Sequence, residues 1–345
     1  MREAWISGTV GGMLTTPRTE SRSTRSPLAP PSLPAVHYAA DHAESLVRAS
    51  VRDGGWARLA PGVYADAEIA SDTSAAGATA VALARLRAVA ERMPEGKVVS
   101  HASAALLHGL PVWHVPRQTH VTQQVGAHVR RPDDVVRHIV DVGDDERTTV
   151  LGLPVTSLLR TVVDCLRTLD PLDGLVVADA ALRAGIGDEE LRAAVMACVG
   201  RRGVRRAREL VRVADAGAES PGESVTRYHV LAAGLPAPQT QVGVRTTIGD
   251  FWTDLGWPEL GVLAEYDGEG KYGAAANEVF FRQKRRDDAI AETGQRLVHV
   301  TRLDLRTPEL LVARIRSKLP EGLPVHPRPY LKQLRTPRDS ARRTR

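Results

Sequence analysis

Four carboxylates in the second half of the chain have the residue types and spacing for metal-assisted chemistry: Glu223, Asp254, Glu265 and Asp267. Asp254 and Glu265 fall on two successive predicted strands joined by a hairpin. Adjacent strands lie about 5 Å apart, so the two side chains can share one hard cation. Side chains alternate along a strand, which puts Glu265 and Asp267 on the same side. Glu223, in the first turn of the preceding predicted helix, can approach them. Carboxylates converging on one end of a sheet are costly unless a cation compensates them. Magnesium, or manganese in its place, is the natural candidate. It binds through one or two carboxylates plus phosphate oxygens, and it activates water for attack on a phosphodiester.

The elements that must position these residues are legible from residue 218 to about 320. Ser220-Pro221-Gly222-Glu223 is a capping-box start with proline at the first helical position. Gly234 and Pro236 stop the helix. Strands are predicted over 239–244, 251–257 and 262–267, a helix over 277–293, a strand over 297–301 and a closing helix over 309–318. The order is αβββαβα, a mixed α/β layer. Upstream, residues 37–70 hold a short helix and two short strands around the turn at Pro61-Gly62, the pattern of the end of a winged helix. Residues 71–217 read as mixed α+β, with predicted helices over 75–93, from Ser100 as cap through Leu107, and over 158–169, 172–184 and 188–199, and with strands between 117 and 150. The overall class is α/β (α+β in the whole chain).

Composition bounds the function classes. With 43% hydrophobic and 25% charged residues, the chain is globular rather than wholly disordered. No apolar run approaches about 18 residues, so no membrane span or membrane partner is expected. Two cysteines, Cys165 and Cys198, are too few for a disulfide scaffold and fit a reducing compartment. The first residues lack the order of a secretory leader, and a cytoplasmic location is expected. The net charge of +5 comes from the ends: residues 331–345 carry +5 and residues 1–36 carry +2, leaving −2 for the middle. Basicity alone therefore does not argue for a nucleic-acid face on the folded body. Residues 1–36 and 321–345 are expected to be disordered, the first rich in Ser, Thr, Pro and Gly and the second basic.

Two stretches resemble known families. Glu219-Ser220-Pro221-Gly222-Glu223-Ser224, Gly234-Leu235-Pro236, Asp254-Leu255-Gly256-Trp257-Pro258-Glu259, Glu265-Tyr266-Asp267-Gly268 and Arg286-Asp287-Asp288 together resemble the PD-(D/E)XK nuclease superfamily. The closer likeness is to its branch related to very-short-patch-repair endonucleases. The resemblance implies a restriction-endonuclease-like core with Asp254 and Glu265 as metal ligands, Glu223 as an accessory carboxylate and DNA as substrate. One departure is plain: the superfamily's lysine, two positions after the glutamate, is Asp267 here, and Lys271 is the nearest replacement. A slow enzyme or none is therefore expected, the second case being an inactive descendant that keeps its carboxylates as hydrogen-bonding groups. The run Gly55-Trp56-Ala57-Arg58-Leu59-Ala60-Pro61-Gly62-Val63-Tyr64 is similar to the wing of AbiEi-type antitoxins of type IV toxin–antitoxin systems. Ser100-His101-Ala102-Ser103 through Gly109-Leu110-Pro111, and Gly152-Leu153-Pro154-Val155-Thr156-Ser157, are similar to later parts of the same family. That resemblance implies promoter binding without catalysis, with a cognate toxin as partner.

Two weaker signals remain. His101 and His108 stand seven apart, about 10 Å along a helix, too far for one metal, and are read as surface or capping residues. Arg201, Arg202, Arg205 and Arg206 belong to a basic run that reads either as a solvated helix face or as a phosphate-contacting one. With Arg58 in the wing, they are the candidate DNA contacts.

Overall fold

Helix and strand signals alternate along the chain in three runs, and each run closes its own sheet. The structure, a computed structural model, describes residue 26 and residues 28–124, 134–268 and 276–332. The first run contains β1 (His37–Tyr38), α1 (Glu44–Arg52), β2 (Trp56–Ala60), β3 (Val63–Asp66) and α2 (Ala67–Ser71). Its strands form an antiparallel sheet in the order β1-β3-β2. Pro61-Gly62 makes the tight reversal, with Gly62 at φ 70°, a conformation that suits glycine.

The second run contains α3 (Ala75–Ala90), β4 (Val98–Val99), α4 (His101–Leu107), β5 (Thr119–Gln123), β6 (Val135–Ile139), β7 (Arg147–Val150) and β8 (Leu153–Thr156). The sheet order is β6-β5-β4-β8-β7, with β5 parallel to β6. Four helices follow: α5 (Leu158–Thr168), α6 (Pro171–Arg183), α7 (Asp188–Ala197) and α8 (Val204–Val213). The third run is α9 (Pro221–Ala232), β9 (Gln239–Thr246), β10 (Gly249–Trp257), β11 (Val262–Asp267), α10 (Ala276–Glu292), β12 (Arg296–Thr301) and α11 (Pro308–Arg316). The strands β9, β10 and β11 form an antiparallel meander. The crossover through α10 then brings β12 parallel to β11, giving the order β12-β11-β10-β9.

The main hydrophobic core does not stop at the start of the third run. Val162, Leu166, Leu175 and Leu210 of the helices share one cluster with Val225, Tyr228 and Leu231 of α9 and with Leu255, Val262 and Val300 of the sheet. Residues 222–231 of α9 are all buried, so its polar side chains must find partners inside. Arg227 does so by donating to both carboxylate oxygens of Asp179 on α6 at 2.6 Å. Asp179 also accepts from the Ser224 hydroxyl and the Asp215 backbone N–H. Gly222 allows the start of α9 to sit against β11, since a Cβ there would come 2.0 Å from the Tyr266 ring.

The described parts of the two stretches expected to be disordered, residues 28–36 and 321–332, are packed. Leu28 lies against the main core, Leu33 packs between α3 and α4, and Arg87 donates to the Pro34 carbonyl at 3.0 Å. At the other end, the buried Leu331 accepts a hydrogen bond from the Tyr228 hydroxyl, and the His326 N–H donates to the Gly234 carbonyl at 2.8 Å. Average composition argued against order in both stretches, but single leucines at suitable positions suffice to dock an extended, proline-rich chain. No helix among the described residues is long and apolar enough to cross a membrane.

Candidate functional site

The antiparallel pairing of β10 with β11 sets Leu255 opposite Ala264. One residue further on, Asp254 and Glu265 stand across from each other and share the opposite face of the sheet. The parallel pairing of β11 with β12 sets Glu265 beside His299, and Asp267 follows Glu265 on the same side. Glu265 and Leu263 therefore face the side where Ile290 of α10 packs, whereas Ala264 faces α9. One sheet face thus gathers Asp254, Glu265, Asp267 and His299. Ligand atoms of Glu265, Asp267 and His299 lie within 4.8 Å of one another. His299 takes a place in that group which the sequence reading had given to Asp254.

The partners of each side chain are specific. Arg286 of α10 forks onto both oxygens of Glu265, one at 3.0 Å, and donates as well to the Trp252 carbonyl at 2.7 Å. Asp254 Oδ2 accepts the Tyr266 N–H at 2.7 Å. His299 bridges two carboxylates, Nδ1 to Asp267 and Nε2 to Asp287, each at 3.0 Å. Glu223 turns back to accept the Glu219 N–H at 2.7 Å, while its own N–H donates to the Ser220 hydroxyl. The capping box expected at Ser220 is thus nearly complete, but its carboxylate bonds the residue before the cap.

Burial dominates the electrostatics. It pushes Glu223 up to about 7, helped by the nearby charge of Asp254. Burial also raises Asp254 and Glu265 above the usual carboxylate range, with Arg286 opposing the rise in both. His299 goes the other way: its hydrogen bond to Asp267 and the charges of Asp267 and Asp287 raise it to about 9, so it carries a proton at neutral pH. The oxygen donors are hard and anionic and suit a divalent cation. Two protein cations, however, already balance the most acidic part of the group.

Lys271 lies outside the described residues. The sequence reading assigned no role to Arg286 or His299. Arg286 was visible only as part of a motif, and the register that sets His299 beside Glu265 depends on a crossover that sequence does not fix.

The candidate DNA contacts fall into two kinds. Arg58 is exposed on β2. Arg201 and Arg202, before α8, and Arg205, on its outer face, are also exposed, and among the described residues no acid pairs with them. Arg206 is different. It is half-buried and donates to the Arg167 carbonyl, and burial lowers its pKa. It is adjacent to Ala207 on the packed side of the helix, so it belongs to the packing and not to a phosphate-facing surface.

His101 also departs from expectation. It is buried, 2% exposed, and its ring stacks on His138 with centroids 3.5 Å apart. His108 is half-buried and its Nε2 bonds the Thr156 carbonyl at 2.8 Å. Neither is a surface residue, but His108 is the C-cap of α4, the capping role expected as the alternative.

Fold and site define a mixed α/β protein in which one sheet face carries a carboxylate group balanced by an arginine and a histidine. No family model matches the chain. Uncharacterized protein Rv2248 and uncharacterized protein MT2308, from two strains of Mycobacterium tuberculosis, are each 31% identical to it over 277 residues, covering 78% of this chain and 94% of the relative. The chain belongs to the family of these mycobacterial proteins.

Proposed function

We propose that this protein engages DNA and that the carboxylate group of β10 and β11 is the remnant or slow form of a magnesium-dependent phosphodiesterase site. The observation that carries this reading is the convergence of Asp254, Glu265 and Asp267 on one sheet face, with Glu223 within electrostatic range of Asp254. The restriction-endonuclease-like character of the α9-to-α11 run and the winged-helix origin of residues 37–70 belong to the same proposal. Glu265 and Asp254 are the residues to hold the ion, which would lower the pKa of a bound water and offset charge on the scissile phosphate. The positive charge of His299 is taken up by Asp267, which stands in the superfamily's lysine position, and by Asp287, so it does not replace the lysine. Losing one preorganised cationic contact commonly costs about 100- to 1,000-fold in rate, so turnover is slow or absent.

A specific observation favours a second reading, a non-enzymatic regulator of the antitoxin type that binds promoter DNA and a cognate toxin. Arg286 satisfies both oxygens of Glu265 from within the protein, leaving that carboxylate no need of a metal. Nicking of supercoiled DNA with Mn²⁺ separates the two. Under the first reading wild type nicks slowly, Glu265→Ala abolishes nicking, and Asp267→Lys raises it. Arg286→Ala raises Mn²⁺ affinity about tenfold or more by releasing Glu265. Equal inertness of wild type and Glu265→Ala, with no metal bound by Arg286→Ala either, selects the regulator.

A further inference from the structure

A second group of potential ligands lies far from the carboxylates in sequence, on the five-stranded sheet. His101 opens α4, His120 lies on β5 and His138 on the edge strand β6. Parallel pairing places His120 opposite Val136 and Thr122 opposite His138, so the two histidines stand on one face, two residues apart in register. One ring nitrogen from each of the three lies within 4.8 Å of the other two. His120 Nδ1 and His138 Nε2 are 3.1 Å apart, close enough to share one proton. Among the described residues no carboxylate pairs with any of the three.

Three further features set this group apart from a chance cluster. His101 has φ 54°, a left-handed backbone that a β-carbon makes costly, while its side chain is buried. Strain of that kind persists only where the surroundings over-determine it, and it concentrates at functional sites. Ser100 occupies the N-cap of α4 but makes no capping hydrogen bond. Its hydroxyl lies 2.9 Å from His101 Nδ1 and accepts from Thr122 at 2.8 Å. A hydroxyl at Nδ1 holds the ring in orientation, and in the tautomer where it accepts from Nδ1–H it leaves the Nε2 lone pair for a ligand, as in second-sphere support of metal-bound histidine. Burial also disfavours a charge on any of the three rings, and each neutral imidazole keeps one lone pair for coordination.

We propose that His101, His120 and His138 form a binding site for a borderline transition-metal ion, zinc first, with the three imidazoles as ligands and water in the fourth position. Imidazole nitrogens select zinc, copper, nickel or iron over magnesium. Three histidines with an open position are a recurring tetrahedral zinc arrangement. The ion takes the place of the proton shared by His120 and His138. The stacked His101 and His138 rings turn toward each other to reach it, a side-chain movement open to the half-buried His138 on its edge strand. The site is independent of the carboxylate group in ligands, sheet and preferred metal.

The test uses the full untagged chain, stripped with chelator and titrated with Co²⁺ and then Zn²⁺. The expected result is one ion per chain, with the intense visible absorption of tetrahedral Co²⁺ bleached by Zn²⁺ and unaffected by excess Mg²⁺. His120→Ala and His138→Ala should each weaken Zn²⁺ binding at least tenfold, and Ser100→Ala about tenfold. His101→Gly should abolish binding yet fold, because glycine accepts the left-handed backbone. Circular dichroism checks the fold of each variant. The proposal is overturned if wild type gives no tetrahedral Co²⁺ spectrum. It is equally overturned if binding survives His120→Ala and His138→Ala, or disappears only in Asp254→Ala or Glu265→Gln.

Discussion

The five-stranded and the four-stranded sheets each collect ionisable side chains on one face, and they deal with charge in opposite ways. Among the described residues His101, His120 and His138 have one another and hydroxyls for partners, so burial disfavours their charge. Glu223, Asp254 and Glu265 are pushed toward neutrality by the same desolvation, yet Arg286 and His299 supply counter-charges to Glu265 and Asp267. One group excludes charge and the other balances it. The first suits soft-to-borderline nitrogen coordination; the second suits an anion-rich oxygen site from which protein cations must first withdraw. The two groups also place opposite slopes on stability against pH, which makes the comparison measurable.

The comparison assumes that both sheets are coupled through the helices between them, and the largest expected effect tests that assumption. Arg227 and Asp179 are 4% and 1% exposed and join α9 to α6. Removing one member of a buried pair leaves an uncompensated charge and costs about 3–5 kcal/mol. Arg227→Ala should therefore lower the urea midpoint sharply. A single transition, the same by tryptophan fluorescence and by circular dichroism, would show one cooperative unit. Two separated transitions would show that the sheets unfold independently.

A smaller effect sharpens the charge contrast. Glu223 has an ordinary value of 4.5 and is raised to about 7 in the fold. The native state keeps its proton where the unfolded chain has lost it. Stability from this group is therefore complete below 4.5, falls as pH rises through 4.5 to 7, and stays reduced above. Glu223→Gln keeps the acceptor for the Glu219 N–H and removes the titration. It should stabilise the protein by about 1–2 kcal/mol at pH 7.5 and leave stability at pH 4 nearly unchanged. A loss of stability at pH 7.5 would mean that the carboxylate charge is compensated, contrary to the burial argument.

How much of this was readable in the residues differs between the two groups for a physical reason. The carboxylates sit on a meander, where Asp254 and Glu265 are eleven residues apart and strand alternation fixes their common face. Helix starts with local chemistry, such as Ser220-Pro221-Gly222-Glu223, were legible to within a residue. His101, His120 and His138 are brought together by non-local pairing, including a parallel strand pair whose register has no local determinant. His108 shares a helix with His101, but the rings beside His101 come from β5 and β6. Arg286 and His299 were obscured likewise by the α10 crossover. The docked leucines at positions 28, 33 and 331 show the limit of compositional argument, because a whole-segment average hides single anchors.

The acid limb tests the histidine group. His120 and His138 fall from 6.5 to about 4 in the fold, so the unfolded chain binds protons first as pH drops. Their contribution is intact above 6.5 and is lost as pH falls toward 4, the reverse of Glu223. His138→Asn should flatten the loss of stability between pH 6.5 and 4 by about 1 kcal/mol. A slope unchanged from wild type in denaturant titrations at stepped pH would remove the histidines as the source of acid sensitivity.

The smallest effect concerns DNA, and it asks whether either sheet-bearing region leads the contact. Arg58 projects from the β2–β3 hairpin of the first run, whereas Arg201, Arg202 and Arg205 surround the start of α8. All four are exposed and among the described residues none is paired with an acid, so phosphate contact by any of them releases counterions and steepens the salt dependence of binding. Replacing one phosphate-contacting side chain reduces that slope by about one. Arg58→Ala should therefore lower the slope by about one if the hairpin acts as a wing. The triple replacement of Arg201, Arg202 and Arg205 by alanine should lower it by about three if α8 carries the interface instead. Arg206→Ala serves as the contrast, because its guanidinium is spent on the Arg167 carbonyl: it should reduce thermal stability and leave the slope alone. Equal slopes for wild type and both surface variants would place the DNA contact elsewhere on the chain, and the basic residues of 331–345 would be the next to remove.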